Sequence, residues 1–190
     1  PSVFVSMEDL DKYDGADGKY TKGVGQIEMG ITGDAEDAVS MALSALAQLA
    51  RITKVPFTGI GRLEVGTESQ TDRSKSIKSH LMRMFEESGN MDVEGADTYN
   101  ACYGGTNAVF NTLNWLHSPS WDGRLAVVVT SDIAVFPERY KFTCGGAAVA
   151  ILFGPNAPVR FDHRRASYVS DEYDFYKPVG WHECAPVYDM

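Results

Sequence analysis

The spacing of apolar positions changes several times along this chain, and each change marks an element. Val39, Leu43, Leu46, Leu49 and Ala50 recur at helical spacing. Asp34 reads as the N-cap of that helix, with Glu36 and Asp37 putting negative charge in its first turn. Lys54-Val55-Pro56 ends it, because the residue before a proline avoids helical dihedrals. An apolar run over 60–65 reads as a buried strand that stops at Gly66-Thr67-Glu68. Residues 76–88 return to the helical period, with Ile77, Leu81, Met84 and Phe85 on one side and Gly89 just past the end. Residues 96–99 read as a strand running into Asn100-Ala101-Cys102-Tyr103-Gly104-Gly105, and 106–116 as a third helix. After the Asp122-Gly123 turn, 124–130 has the β-branched character of a strand covered on both faces. A last strand spans 145–153 and Gly154-Pro155-Asn156 closes it.

Ahead of the first helix, the segment through Asp14-Gly15-Ala16-Asp17-Gly18-Lys19-Tyr20 reads as loop. Beyond 156 the chain turns polar and aromatic, with Tyr168, Tyr173, Phe175, Tyr176, Trp181 and Tyr188. Strands alternating with helices predict an α/β fold in layers, as one domain over 1–190 with a sizeable core. No internal repeat, low-complexity tract or linker interrupts it.

Composition narrows the partners. The chain is 44% hydrophobic and 23% charged, ordinary for a soluble globular protein. A net charge of −9 argues against a nucleic-acid binder, which needs clustered Lys and Arg, but leaves room for an anionic ligand held at helix N-termini. The three cysteines (Cys102, Cys144 and Cys184) form no CxxC pair, and the four histidines are scattered, so a reducing compartment is expected and no zinc site. No run suits a membrane span or a signal peptide. The aspartates of 14–18 lack the rest of a calcium loop and read as a turn.

Chemistry gathers where strands end. Cys102 follows a strand and precedes a helix, whose positive end stabilises a thiolate; Gly104 and Gly105 let backbone turn and come close to a substrate. The residues alone leave two readings of Cys102, a small core residue or a nucleophile, and favour the first. Glu68 also follows a strand, where α/β sheets open into ligand crevices, and reads either as a solvated loop residue or as an acid/base. Asp132, directly after the 124–130 strand, has the same position. The three together weigh more than any one.

At these positions the chain resembles a known family. Gly61-Arg62-Leu63-Glu64-Val65-Gly66-Thr67-Glu68, Asp72-Arg73-Ser74-Lys75-Ser76, Phe85-Glu86-Glu87-Ser88-Gly89-Asn90 and Asn100-Ala101-Cys102-Tyr103-Gly104-Gly105-Thr106 are similar to hydroxymethylglutaryl-CoA synthases. So are Ser120-Trp121-Asp122-Gly123-Arg124, Asp132-Ile133-Ala134-Val135, Gly154-Pro155-Asn156-Ala157-Pro158 and Tyr173-Asp174-Phe175-Tyr176-Lys177-Pro178, in order over nearly the whole chain. The likeness is closer to the eukaryotic type than to the bacterial enzymes of carrier-bound polyketides.

The resemblance implies the N-terminal half of a thiolase fold, an α/β/α sandwich, without the family's opening strand ahead of Pro1 and without the second half. It implies condensation of acetyl-CoA with acetoacetyl-CoA, two substrates and no cofactor, in a cytoplasmic or organellar enzyme. Cys102 matches the acetylated nucleophile and Glu68 the acid/base that deprotonates the acetyl methyl group. Lys19, with Asp17 in the same segment, matches a region near CoA, and Asp132 and Asp174 match acidic residues lining the site. Backbone amides near Cys102 would receive the thioester oxyanion.

The same resemblance locates departures. The family's catalytic histidine lies beyond Met190, so a homodimer or a complementing C-terminal half is implied. Tyr140 stands for a substrate-touching Asn and Cys144 for a substrate-touching Thr, with Thr143 able to compensate by a one-residue slip. The alternatives are a non-catalytic thiolase-fold subunit or scaffold, and a ketoacyl synthase, which the Gly66-Thr67-Glu68 context disfavours. Half a sandwich would also leave apolar surface uncovered.

Overall fold

The computed structural model describes residues 1–162 and 164–173. The segment expected to be loop is structured. Strand β1 (Val3–Ser6) leads into helix α1 (Met7–Asp14), a π-helical turn follows over Lys19–Val24, and strand β2 (Glu28–Ile31) pairs antiparallel with β1. The buried carboxylate of Asp11 organises it, accepting hydrogen bonds from the Tyr20 amide (3.0 Å), the Thr21 amide (3.1 Å) and the Thr21 hydroxyl (2.7 Å). Its glycines and Asp17 sit at positive φ, so composition was reporting turn positions between short elements.

Helix α2 (Ala38–Thr53) starts later than expected. Asp37 is its N-cap, not Asp34, in a capping box: Asp37 Oδ1 accepts from the Ser40 amide at 2.7 Å and Ser40 Oγ from the Asp37 amide at 2.8 Å. Strand β3 (Ile60–Gly66) runs one residue past the expected end. Helix α3 (Ile77–Leu81), capped by Ser76, continues as a 3-10 segment over Met82–Ser88 and stops at Gly89 in the left-handed region. Strand β4 is only Asp97–Thr98, and the Asp97 carboxylate accepts from the Ile77 and Lys78 amides. Helix α4 (Gly104–Leu116) takes both glycines into its first turn.

Strand β5 (Leu125–Ala134) extends well beyond residue 130 because its antiparallel partner β6 (Gly145–Phe153) pairs with it as far as Ala134↔Gly145. Asp132 therefore lies inside a strand, a correction to its expected place after one.

The sheet order is β4-β3-β5-β6, with β3 parallel to β4 and β5. Alternation sends Leu63, Val65, Val127 and Val129 to one face, against α2, α3 and the fully buried Phe85. Ala126 and Val128 face the other way, against Ala108, Leu113 and Trp115 of α4. Helices on both faces of a mostly parallel sheet give the expected α/β/α layering. On the α4 side, Val149 and Ile151 of β6 remain 52% and 41% exposed, an apolar stripe of the kind anticipated. Among the described residues of the tail, Phe161 packs on Phe153 and the Arg165 guanidinium lies over Phe110.

Candidate active site

Three neighbouring parallel strands come level with Thr98, Gly66 and Thr130 in register, where β4 and β3 end and β5 runs on to Ala134. Each leads to one of the candidate residues: β4 to Cys102, β3 to Glu68, and β5 carries Asp132 two residues on. Helix α4 sits close on these ends because glycines make room. A Cβ on Gly66 would stand 2.4 Å from the Gly105 Cα, and one on Gly105 2.6 Å from Thr130 Cγ2. A Cβ on Gly104 would stand 2.7 Å from the Thr98 carbonyl oxygen and 3.4 Å from the Thr67 nitrogen. The glycines thus serve the packing of helix start on strand ends, a use the sequence reading missed in assigning them to substrate approach.

Cys102 is exposed on the turn ahead of α4. The Gly104 amide closes that turn on the Asn100 (2.9 Å) and Ala101 (3.2 Å) carbonyls. Ala101 is held at φ 37°, a left-handed conformation costing a non-glycine residue about 1 kcal/mol or more, so strain lies one residue from the thiol. The helix's next amides point back over the turn, as first-turn amides do.

Glu68, half-buried, is positioned by Asp132. Oδ1 of Asp132 accepts from the Glu68 amide at 2.7 Å and lies 3.1 Å from both Thr67 Oγ1 and Ser69 Oγ. The Thr67 hydroxyl donates to the Ser131 carbonyl (2.8 Å) and accepts from the Ser69 amide (2.9 Å), while Ser69 Oγ accepts from the Ile133 amide (2.9 Å). Thr67 and Ser69 were not singled out in the sequence; a hydroxyl on each side of a strand-end glutamate was the available signal.

The remaining candidates form a second group. The segment bearing Asp17 and Lys19, both exposed, docks on a 3-10 turn over Glu138–Thr143. Tyr20 stacks on Phe142 (ring centroids 4.8 Å apart) and Lys19 lies over the same ring. Lys141 Nζ stands 2.6 Å from Asp14 Oδ1 and 2.8 Å from Glu138. The Lys141 ammonium, then the Tyr20 hydroxyl, hold the Asp14 carboxyl below the usual range, and Asp14 in return pushes the Tyr20 and Lys141 values up. The Thr143 hydroxyl is spent on the Tyr140 carbonyl at 2.7 Å. Cys144 Sγ accepts from the Phe136 amide at 3.2 Å, closing the loop.

Cys144 and Asp132 line one cleft of about 420 Å³ with Met29, Gly30, Gly145 and Gly146. The structure therefore joins the two groups through Asp132; Glu68 and Cys102 lie outside that lining. Asp174 falls outside the described residues. Among the described residues, no three His, Cys, Asp or Glu side chains converge as a metal site, and no helix is long and apolar enough to cross a membrane.

A mixed sheet layered between helices, with a cysteine at a helix start above the strand ends, defines a thiolase-like α/β protein. The family profile described as hydroxymethylglutaryl-coenzyme A synthase N terminal matches residues 1–158, and the chain belongs to that family. It is 54% identical over 181 residues to the cytoplasmic hydroxymethylglutaryl-CoA synthase of Rattus norvegicus, covering 94% of this chain and 35% of the relative. It is 52% identical over 180 residues to the hydroxymethylglutaryl-CoA synthase of Saccharomyces cerevisiae, covering 94% and 36%. The chain thus spans about a third of the length of these relatives. Among solved structures, MvaS in complex with 3-hydroxy-3-methylglutaryl coenzyme A matches all of the chain and 46% of its own at 38% identity and TM-score 0.89. An HMG-CoA synthase complexed with CoA, at 21% identity and TM-score 0.81 over 98% of this chain and 47% of its own, shares the fold.

Proposed function

We propose that this chain carries the acetyl-transfer half of a hydroxymethylglutaryl-CoA synthase, with Cys102 as nucleophile and Glu68 as acid/base. The observation that carries the reading is the level at which β4 and β3 end beside β5, which sets the Cys102 turn beside the turn that Asp132 holds under Glu68.

The Cys102 thiol gives up its proton and the thiolate attacks the acetyl-CoA carbonyl; the C–S bond to CoA breaks, CoA leaves as its thiolate and takes up that proton from solvent, and acetyl-Cys102 remains. Amides of the first turn of α4 stand where a thioester oxyanion develops. The Glu68 carboxylate takes a methyl proton, the resulting carbanion attacks the ketone carbon of acetoacetyl-CoA, and the alkoxide takes up the proton. The product's free carboxylate requires that water then break the thioester to Cys102. Every electron pair is accounted for by the two thioesters and water, so the residues call for no cofactor. Lys19 and Asp17 serve the CoA side, and Asp132, Tyr140 and Cys144 the acyl side. The exposed stripe at Val149 and Ile151 supports a C-terminal half or second copy packing on the α4 side. The cytoplasmic relatives support a cytoplasmic site of action.

Intact mass after incubation with acetyl-CoA tests the reading. An acetyl adduct is expected in the wild type, absent in Cys102→Ala and retained in Glu68→Ala. Within a complete synthase, Glu68→Ala is expected to cost about 10² to 10⁴ in turnover. No adduct on folded protein, alone or grafted onto the rest of a relative, would favour a non-catalytic thiolase-fold subunit.

A further inference from the structure

We infer that Ser69 is a positioning residue, whose hydroxyl clips the Glu68 turn onto β5 and fixes where the Glu68 carboxylate stands. This rests on Glu68 being the acid/base. The Ser69 hydroxyl stands among three groups of β5: it accepts from the Ile133 amide at 2.9 Å and lies 3.1 Å from Asp132 Oδ1 and 3.2 Å from the Ile133 carbonyl oxygen. One hydroxyl has one proton to give. Thr67 Oγ1 has its shorter acceptor in the Ser131 carbonyl, at 2.8 Å against 3.1 Å to Asp132. Ser69 is then the hydroxyl left to share Asp132 Oδ1 with the Glu68 amide. Its own amide donates to Thr67 Oγ1, so residues 67–69 fold into a closed turn anchored to β5 at Ser131, Asp132 and Ile133. Glu68 sits between the two residues so anchored, and its own amide is the third anchor, so Ser69 acts on Glu68 through the backbone of the turn.

Amide hydrogen exchange in the chain reads the clip directly. Ser69→Ala is expected to speed exchange of the Glu68 amide about tenfold while the Leu63 amide, bonded to the Glu94 carbonyl, keeps its rate; Ser69→Thr restores Glu68. Unchanged Glu68 exchange in Ser69→Ala overturns the inference, and so does an equal rise at Leu63, which would make Ser69 a general support of the sheet.

The chemical consequence is read in a graft of this chain for the matching region of the Saccharomyces cerevisiae relative. There Ser69→Ala is expected to lower kcat about tenfold, with KM for acetyl-CoA and acetyl-Cys102 formation each held within about twofold. An unchanged kcat, or acetylation falling in step with it, counts against Ser69. If Glu68→Ala also leaves kcat unchanged, the assignment of the base has failed, and the exchange experiment still decides whether Ser69 sets the turn.

Discussion

The two groups of candidate residues are built by opposite means. Around Cys102, Glu68 and Asp132 the backbone itself is fixed: glycines let α4 touch the level at which β4 and β3 end beside β5, and hydrogen bonds buried between β3 and β5 set the turn. The rim, where Lys19 and Asp17 meet the turn over Glu138–Thr143, is held by a ring stack and one ion pair between partly exposed side chains. Backbone contact tolerates almost no change, whereas side-chain contact can be exchanged residue by residue. Tyr140 and Cys144, where the resemblance leads one to expect departures from the family pattern, fall on the rim.

The sharpest way to break this contrast is Gly66→Ala. A methyl group there stands 2.4 Å from both the nitrogen and the Cα of Gly105, and those are backbone atoms that cannot swing aside. Overpacking of this kind is expected to cost about 3 kcal/mol, read as a lowered urea midpoint at unchanged slope. It should also lift the start of α4 and slow acetylation of Cys102. A variant as stable and as reactive as the wild type would show that the helix start is not seated on the strand ends.

Next in size is Asp132→Ala. It leaves the Glu68 amide and the Ser69 hydroxyl without their shared acceptor, and such a loss costs about 1 to 3 kcal/mol. Glu68 amide exchange should accelerate by at least as much as in Ser69→Ala. An Asp132→Ala variant with slow exchange at Glu68 would place the anchor elsewhere, at Thr67 and the Ser131 carbonyl.

How much of this was legible follows from the same contrast. The strands with apolar runs closed by a turn signal were plain: 145–153 matched to the residue and 60–65 missed by one. Cys102 and Glu68 were legible as residues following strands, since β4 and β3 stop ahead of them. Asp132 was misplaced because ladder pairing with β6 carries β5 through polar residues that periodicity cannot interpret. The N-terminal elements were illegible: α1 buries Asp11 and little apolar surface, so its order comes from one carboxylate's hydrogen bonds, which leave no period. Ser69 was overlooked because a hydroxyl's role depends on β5, more than 60 residues away.

The docking of the rim should respond to pH. Asp14 has its carboxyl lowered by Lys141, so its contribution is complete above the ordinary carboxylate value of 3.8 and fades as pH falls through the lower folded value. Tyr20 and Lys141 are shifted upward, so theirs are complete below the ordinary 10.0 and 10.5 and fade as pH rises through the higher folded values. Docking should therefore be firmest between about pH 4 and 10. Lys141→Met is expected to lower the melting temperature slightly at pH 7, and the gap from wild type should narrow as pH falls below 3.8. A gap that does not narrow would mean that Lys141 acts through its ammonium over the Tyr13 ring.

The smallest effect tests which residue of the altered loop meets the substrate. Cys144 lines the cleft beside Asp132 in an extended conformation that threonine also adopts, and its sulfur is a weak hydrogen-bonding group. Thr143 has the better group, but it is committed to the Tyr140 carbonyl. Cys144→Thr puts a hydroxyl into the cleft at nearly constant volume. One net hydrogen bond is worth about 0.5 to 1.5 kcal/mol, so acetoacetyl-CoA should bind about threefold to tenfold more tightly, measured by calorimetry on the grafted enzyme. Thr143→Ala should leave that affinity unchanged. A loss in Thr143→Ala with no gain in Cys144→Thr would reverse the assignment: the loop would bind substrate by the one-residue slip, and the rim would rearrange on binding while the platform under Glu68 stayed fixed.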